Sequence, residues 1–379
     1  KLYSGSKIKL GSYTRPISEF RIGILTIKEK WTHYYKNIST KTEDYLVSKY
    51  PIRKQKENLW IDASVLPSKE LKTELDSLRN GEVLESNGKI IAFKNLNYSF
   101  KNLNKINTSI LVNSIENIWD IFADNGREIE ADFKLLTKAR KSQKISDTNT
   151  VIGKHIFVEK GAKISCSILN AENGPIYIGK NTEIMEGAII RGPFAMGENA
   201  VLKMGAIIYG PTTLGPHCKV GGEVNNSVFF GYSSKAHDGF LGNSVIGEWC
   251  NLGADTNNSN LKNNYAEVKL WNYEMERFKK TGLQFCGLIM GDHSKCGINT
   301  MFNTGTVIGV SANIFGSGFP RNFVPSFSWG GASGFQVYKL PKVFEVASKV
   351  FERRKLDFDE NEQNILSEVY DMTKRYRNE

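Results

Sequence analysis

Long apolar runs are missing from this 379-residue chain. No stretch approaches the roughly 18 uninterrupted apolar residues of a membrane helix, and Lys1 to Leu10 lack the apolar centre of a secretory signal. A cytoplasmic protein that does not associate with membranes is therefore expected. The first residue is Lys1 rather than Met, which reads as processing or as a fragment. Cysteine is scarce as well. Cys166, Cys218, Cys250, Cys286 and Cys296 are odd in number and widely spaced, with no CxxC pair, so reduced buried thiols are expected. His155, His217 and His293 show no close pair, and no zinc site is read from them. Acid is outnumbered by base, 40 residues to 50, and the net charge of +10 suits an anionic partner.

What is present is a period. Apolar residues recur six apart at Ile178, Ile184, Ile190, Met196, Leu202, Ile208, Leu214 and Val220. The step resumes at Phe240, Ile246 and Leu252, and again at Met290, Cys296, Phe302, Ile308 and Ile314. Six residues fit neither a 3.6-residue helix nor a hairpin meander. They fit a triangular left-handed parallel β-helix, in which each coil buries its inward residues on the next. Gly179, Gly197 and Gly215 lie eighteen apart, one per coil, at corners where glycine would permit positive φ. About nine coils are expected between residues 150 and 325. Asn257 to Phe285 breaks the period with Tyr265, Trp271, Tyr273 and Phe278, and reads as an arm, either a lid or a subunit clasp. Beyond Pro341 the spacing becomes helical, with Val343, Val346, Val350 and Phe351, then Ile365, Val369, Met372 and Tyr376. Residues 341–379 are expected to cap the open end as two helices.

Residues 1–141 lack the six-residue step and read as an α/β domain with helical stretches at Glu70 to Leu78 and Ile115 to Phe122. Val83 to Phe93 reads as a hairpin turned by Asn87-Gly88. Polar Ser142 to Thr150 reads as the linker.

The order Lys235-Ala236-His237-Asp238-Gly239-Phe240-Leu241-Gly242, then Ile246-Gly247 and Asn251-Leu252-Gly253-Ala254, resembles the acetyltransferase half of bifunctional N-acetylglucosamine-1-phosphate uridyltransferases. Thr14-Arg15-Pro16-Ile17-Ser18-Glu19-Phe20-Arg21-Ile22-Gly23-Ile24-Leu25-Thr26-Ile27-Lys28-Glu29-Lys30-Trp31 resembles the divergent Bacteroidetes-type branch of that family. The resemblance implies an N-terminal nucleotidyltransferase-like domain and two reactions: acetylation of glucosamine-1-phosphate from acetyl-CoA, then uridylyl transfer from UTP with magnesium. It implies a homotrimer whose partners are small phosphorylated molecules rather than nucleic acid.

Carried over position by position, the resemblance makes His237 the general base, puts Asn251 and Glu223 beside the sugar with Phe240, and sets Ala254 beside the thioester. Imidazole titrates near working pH, which suits removal of a proton from an amino sugar. Asn225 stands where the better-known branch has a lysine, so the acceptor is open. Phosphates need cations, and Arg191 and Lys203 are candidates for the sugar phosphate, Arg321 for coenzyme A. Lys235 is a further cation on the coils, and each of the four reads more often as solvated surface. In the first domain the glycine-rich, arginine-ending phosphate loop of the family is replaced by Ser4-Gly5-Ser6. Arg15, Arg21 and Lys30 are candidates for the triphosphate, and Asp62 for magnesium, since magnesium takes hard oxygen ligands. The plain alternatives are a strand-end cap for Asp62 and a helix-surface cation for Lys30. At the level of the whole chain the alternatives are an acyltransferase for another amino sugar and a non-catalytic trimeric scaffold.

Overall fold

The computed structural model describes residues 1–3, 8–100 and 102–377. Ser4-Gly5-Ser6 lies outside the described residues. By internal contacts the chain divides into two units, residues 1–20 with 25–117, and residues 21–24 with 118–379.

The first unit is built on a mixed six-stranded sheet whose strands run Thr40–Lys41, Leu2–Tyr3, Leu59–Asp62, Lys89–Lys94, Glu82–Ser86, Asn104–Asn107 in spatial order. Leu2–Tyr3 pairs in parallel with both neighbours, whereas the hairpin of Glu82–Ser86 and Lys89–Lys94 is antiparallel. Its turn holds Asn87 at φ 49° and Gly88 at φ 76°, the left-handed pair that Asn-Gly supplies. Trp60, Phe93 and Tyr3 form an aromatic core under this sheet. The helix Lys69–Ser77 starts where expected, because Ser68 Oγ accepts the Leu71 N–H and caps it. The second expected helix shrinks to Asp120–Ala123. Ile115 instead gives its N–H to the Ser64 carbonyl.

The second unit is a three-faced parallel β-solenoid followed by helices. Nine strands from Ile156–Val158 to Phe323–Val324 form the first face. The second face runs from Lys163–Ile164 to Ser328–Gly331. The third runs from Thr150–Ile152 to Phe240–Gly242 and resumes with Asn257–Asn258 beside Met301–Phe302. Nine strands on the first face give nine coils. Inward residues stack in register, as in the third-face column Ile190, Ile208, Val224, Leu241. All four are essentially buried, and each such side chain contributes roughly 2 kcal/mol by leaving water.

Two expectations are corrected here. Phe240 is not an inward residue: it pairs with Glu223 on the outer side of the third face, and Leu241 takes the core position. Gly179, Gly197 and Gly215 do not adopt positive φ. They are required because the next coil passes so close that a Cβ would lie 2.5 Å from the Met196 carbonyl, 2.7 Å from the Pro216 nitrogen and 1.9 Å from the Phe230 carbonyl, respectively. Positive φ at the corners falls instead to a column containing His217, Tyr232, Trp249 and His293, whose rings stack along the solenoid at centroid spacings of 4.7, 4.3 and 6.3 Å.

Both ends of the solenoid are covered. Gln143 and Asn149 bond to carbonyls of the first coil at Ala162 and Ile164, so the polar stretch is laid on the coil edge as a lid of hydrogen bonds. At the other end the strand Gly334–Val337 folds back antiparallel on Ser328–Gly331. The helices Leu340–Glu352 and Glu360–Met372 then lie along the stacked corner column, with Phe351 4.0 Å from Trp249 and Tyr370 5.0 Å from Phe327. The arm is a hairpin, Lys269–Asn272 with Arg277–Lys280. It closes onto its own chain: Val268 and Leu270 are buried, and Trp271 stacks on Phe323 at 4.2 Å.

Candidate functional site

His237 occupies the corner between the second-face strand Ser234–Lys235 and the third-face strand Phe240–Gly242. It is exposed, and its imidazole makes no hydrogen bond among the described residues. The loop around it is fixed by backbone. Asp238 O accepts the Asp255 N–H from the next coil, and Phe240 N–H donates to Asn257 Oδ1 at 2.8 Å. Gly239 sits at φ 112° with Thr256 O 2.2 Å from where a Cβ would be, so no other residue fits that turn without displacing it.

Successive coils bring several candidates to this corner. Lys203 precedes His237 by two coils, its Cβ against Gly221, and Ala254 occupies the same corner one coil later. On the adjoining outer face Glu223 pairs with Phe240, and Asn225 with Gly242 on one side and Tyr209 on the other. Tyr209 donates to Glu223 Oε1 at 2.5 Å, and burial with the Glu223 carboxylate raises its phenol above the ordinary range. Arg191 lies on the same face one strand before Tyr209, opposite Asn170. Arrays of carboxylate, amide, phenol and ring on one rigid surface suit a polyhydroxylated ligand.

Other candidates stand apart. Asn251 is on the outer second face between Ser234 and Lys295 and opens on a different cavity. Arg321 lines a cavity of about 400 Å³ at the end of the solenoid with Phe323 and Gly334. That is three strands beyond Val245–Glu248, or about 14 Å at ordinary strand spacing. Arg321 therefore does not join the His237 corner.

Lys235 is not a solvated cation on the coil surface. It continues the inward second-face column Ile184, Leu202, Val220 and is 1% exposed. Its ammonium donates to Gly221 O at 3.0 Å and to His237 O at 2.9 Å, tying the His237 corner to the coil before it. Burial pulls its pKa down to about 8, although Asp238 and Asp255 act in the opposite sense.

In the first unit Arg15, Lys30 and Asp62 are all buried, at 5%, 2% and 2% exposure. Lys30 is thus not a helix-surface cation. Its helix, Ile27–Thr32, carries a capping box of Thr26 and Glu29, and Trp31 Nε1 donates to Val65 O at 2.9 Å. Asp62 ends the strand beside Tyr3 and accepts from Ser64 N and Oγ, each at 2.9 Å. Arg21 belongs to the second unit. Its guanidinium donates to Phe230 O at 3.1 Å and Ile24 O at 2.5 Å. Gly23 is held there by Asn125 and Thr213. The structure thus gives Arg21 an anchoring role within the second unit, whereas Arg15 and Lys30 belong to the first. No group of three or more His, Cys, Asp or Glu suited to a metal occurs among the described residues. No helix among them is long and apolar enough to cross a membrane.

Residues 12–141 match the model of a sugar nucleotidyl transferase family. Among curated proteins, the bifunctional protein GlmU of Methanocaldococcus jannaschii is 34% identical over 87 residues, which is 23% of this chain and 21% of the relative. A bifunctional sugar-1-phosphate nucleotidylyltransferase/acetyltransferase of Sulfurisphaera tokodaii is 37% identical over 93 residues, 24% of this chain and 23% of the relative. The chain thus spans about a fifth of the curated relatives it matches. Among solved structures, a UDP-N-acetylglucosamine acyltransferase from Campylobacter jejuni aligns over 62% of this chain and 83% of its own, at 17% identity and a TM-score of 0.30. The polySia-specific acetyltransferase NeuO aligns over 51% and 87%, at 15% identity and a TM-score of 0.27.

Proposed function

We propose a transferase of sugar-nucleotide biosynthesis that acetylates glucosamine-1-phosphate and then transfers a uridylyl group to the product, a reading supported by the match of residues 12–141 to a sugar nucleotidyl transferase family and by the likeness of 87 residues to a bifunctional GlmU. The observation that carries the acetyl transfer is the corner itself, an exposed His237 between Lys203 and Ala254, adjoining the outer face of Glu223, Asn225 and Phe240. In this reading His237 takes a proton from the sugar ammonium, and the freed amine attacks the thioester carbonyl of acetyl-CoA. As the amide bond forms the nitrogen loses its second proton to solvent, the carbon–sulfur bond breaks, and coenzyme A leaves as a thiolate that is protonated by the His237 imidazolium. Ala254, with its small side chain, leaves room for the thioester. Lys203 and Arg191 neutralise the sugar phosphate.

For uridylyl transfer, the sugar phosphate oxygen attacks the α-phosphorus of UTP and pyrophosphate leaves. Arg15 and Lys30 would hold the triphosphate. Asp62 fits magnesium in its donor type, since one hard carboxylate completed by substrate phosphates is how that ion is commonly held. The ion would neutralise phosphate charge there. A homotrimer is the expected assembly. Ile168, Ile189 and Ile207 form an exposed in-register stripe continuous with Glu223, an apolar surface suited to a second copy.

The test is thiol release from acetyl-CoA with glucosamine-1-phosphate, comparing the intact chain with His237→Ala at equal folding and assembly, followed by addition of UTP and magnesium. Turnover that persists in the variant would remove His237 from the mechanism. Absence of turnover in the intact chain with this acceptor, but turnover with another amino sugar, would favour the reading that Asn225 opens. Absence with every acceptor would favour the scaffold.

A further inference from the structure

Between the second face and the helix Leu340–Glu352 lies a cavity of about 380 Å³ lined by Lys219, Lys295, Arg353 and Arg354, with Tyr232 and Trp249 in its wall. Among the described residues no carboxylate forms an ion pair with any of these four cations. Lys219 feels the crowding. Its ammonium is held below the ordinary range by burial first, then by Arg354, Lys203 and Arg353. Lys295 is also lowered by burial, and its ammonium has the His293 carbonyl as partner at 2.9 Å. Arg353 and Arg354 follow the C-terminal end of a helix, where basic residues are favoured by the helix dipole. That preference does not account for Lys219 and Lys295, which reach the same space from strands of the solenoid. Solvent screens the exposed Lys219 and Arg353, and the Glu248 and Glu198 carboxylates act on the Tyr232 wall. Among the described residues neither carboxylate pairs with the four cations, which leaves their donors to an anion entering the cavity.

The aromatic wall narrows the ligand. Trp249 is covered on one side by Tyr232 at 4.3 Å and on the other by Phe351 at 4.0 Å. Its faces are therefore not free to stack on a base, and the cavity meets the rims of these rings, which carry the positive end of the ring quadrupole. Cations and ring rims together select oxyanions over planar rings. Across the cavity Lys219, Ser234, Asn251 and Lys295 occupy consecutive strands, so its length is about 14 Å, enough for a phosphate with a substituent attached.

We propose that this cavity is a binding site for the phosphate group of a phosphorylated small molecule, held chiefly by Lys219, Arg353 and Arg354. Two sources share that chemistry, a phosphate carried by a co-substrate and a free phosphate that acts as an effector. The site stands on its own lining and does not depend on which reaction the chain performs.

Calorimetric titration of the full chain with inorganic pyrophosphate and with adenosine 3′,5′-bisphosphate tests it directly. One probe at least should bind, with affinity that falls as salt rises. Arg354→Gln and Lys219→Gln should each weaken binding by 10-fold or more, with unchanged circular dichroism and melting. Binding of neither probe to the intact chain, or equal binding by both variants, would overturn the proposal. The same variants separate the sources. A raised KM for a phosphorylated co-substrate marks a substrate-borne phosphate, and an unchanged KM with a rate that no longer responds to added pyrophosphate marks an effector. Since binding is read without turnover, failure of the acetyl-transfer reading would leave this result standing.

Discussion

Replacing Lys235 with methionine is the most discriminating perturbation, because among the described residues Lys235 is the only charged side chain in its inward column and also supports the His237 corner. The lowering from 10.5 to about 8 corresponds to roughly 3 kcal/mol between the protonated and neutral forms. In the unfolded chain the lysine keeps its proton until about pH 10.5, while in the folded chain it releases it near pH 8. The unfolded state therefore binds more protons across that window, and native stability should climb by up to roughly 3 kcal/mol as pH rises from 8 to 10.5. Methionine removes that climb. It also leaves the Gly221 and His237 carbonyls without their ammonium donor, at roughly 1 to 3 kcal/mol for the pair if water does not replace it. Below pH 8 the loss and the relieved charge nearly cancel, so urea midpoints of the two proteins should be close at pH 7. By pH 10.5 the native chain should be ahead by an additional 3 kcal/mol or so. A stability gap independent of pH would refute the buried-ammonium argument. Acetyl transfer at pH 7 should meanwhile fall about 10- to 100-fold, with secondary structure intact, since His237 loses the contact that sets its position.

His237→Gln, at an exposed position, should leave melting unchanged while slowing acetyl transfer by about 10²- to 10⁴-fold in the thiol-release assay. Gly239→Ala places a methyl 2.2 Å from Thr256 O at φ 112° and should lower both melting temperature and acetyl transfer; a variant as stable as the parent would show that the loop is looser than described. Ile246→Ala empties a fully buried first-face position and should cost about 2 to 5 kcal/mol by chemical denaturation. Asp62→Asn should abolish nucleotidyl transfer, measured by pyrophosphate release, and spare acetyl transfer.

The solenoid is legible in the sequence because its core is one-dimensional: each inward residue meets its counterpart in the next coil, so an apolar step of six is both necessary and visible. Legibility ends where coils change length. Val220 and Lys235 are register partners only 15 residues apart, against 18 for Leu202 and Val220. Counting by sixes therefore skips the inward lysine and lands one residue early at Phe240. The corner glycines were found by spacing, but their reason, close passage of the neighbouring coil, belongs to three dimensions. In the first unit the two-residue strand Leu2–Tyr3 is held between Thr40–Lys41 and Leu59–Asp62, a pairing for which no local pattern exists. Arg21 was grouped with Arg15 by a shared motif, yet three residues after it Ile24 gives its N–H to Asp132 of the second unit. Proximity in sequence carried no information about which unit each would join. The cations at the cavity of Lys219 were invisible for the same reason, since Arg353 and Arg354 follow a helix more than 130 residues away.

The arm changes how the far end of the solenoid can come apart. In a stack whose repeats touch only their neighbours, terminal repeats fray one at a time. Here the hairpin leaves the coil after Asn258, lies over Gly305, and sets Trp271 against Phe323 and Tyr273 against Tyr376. It skips past an intervening coil to reach the last one, as a bolt passes through several plates. The last coil cannot peel away while the arm stays seated, so the final three coils and the C-terminal turn should open as one event, and amide protons across that whole end should exchange at a single shared rate.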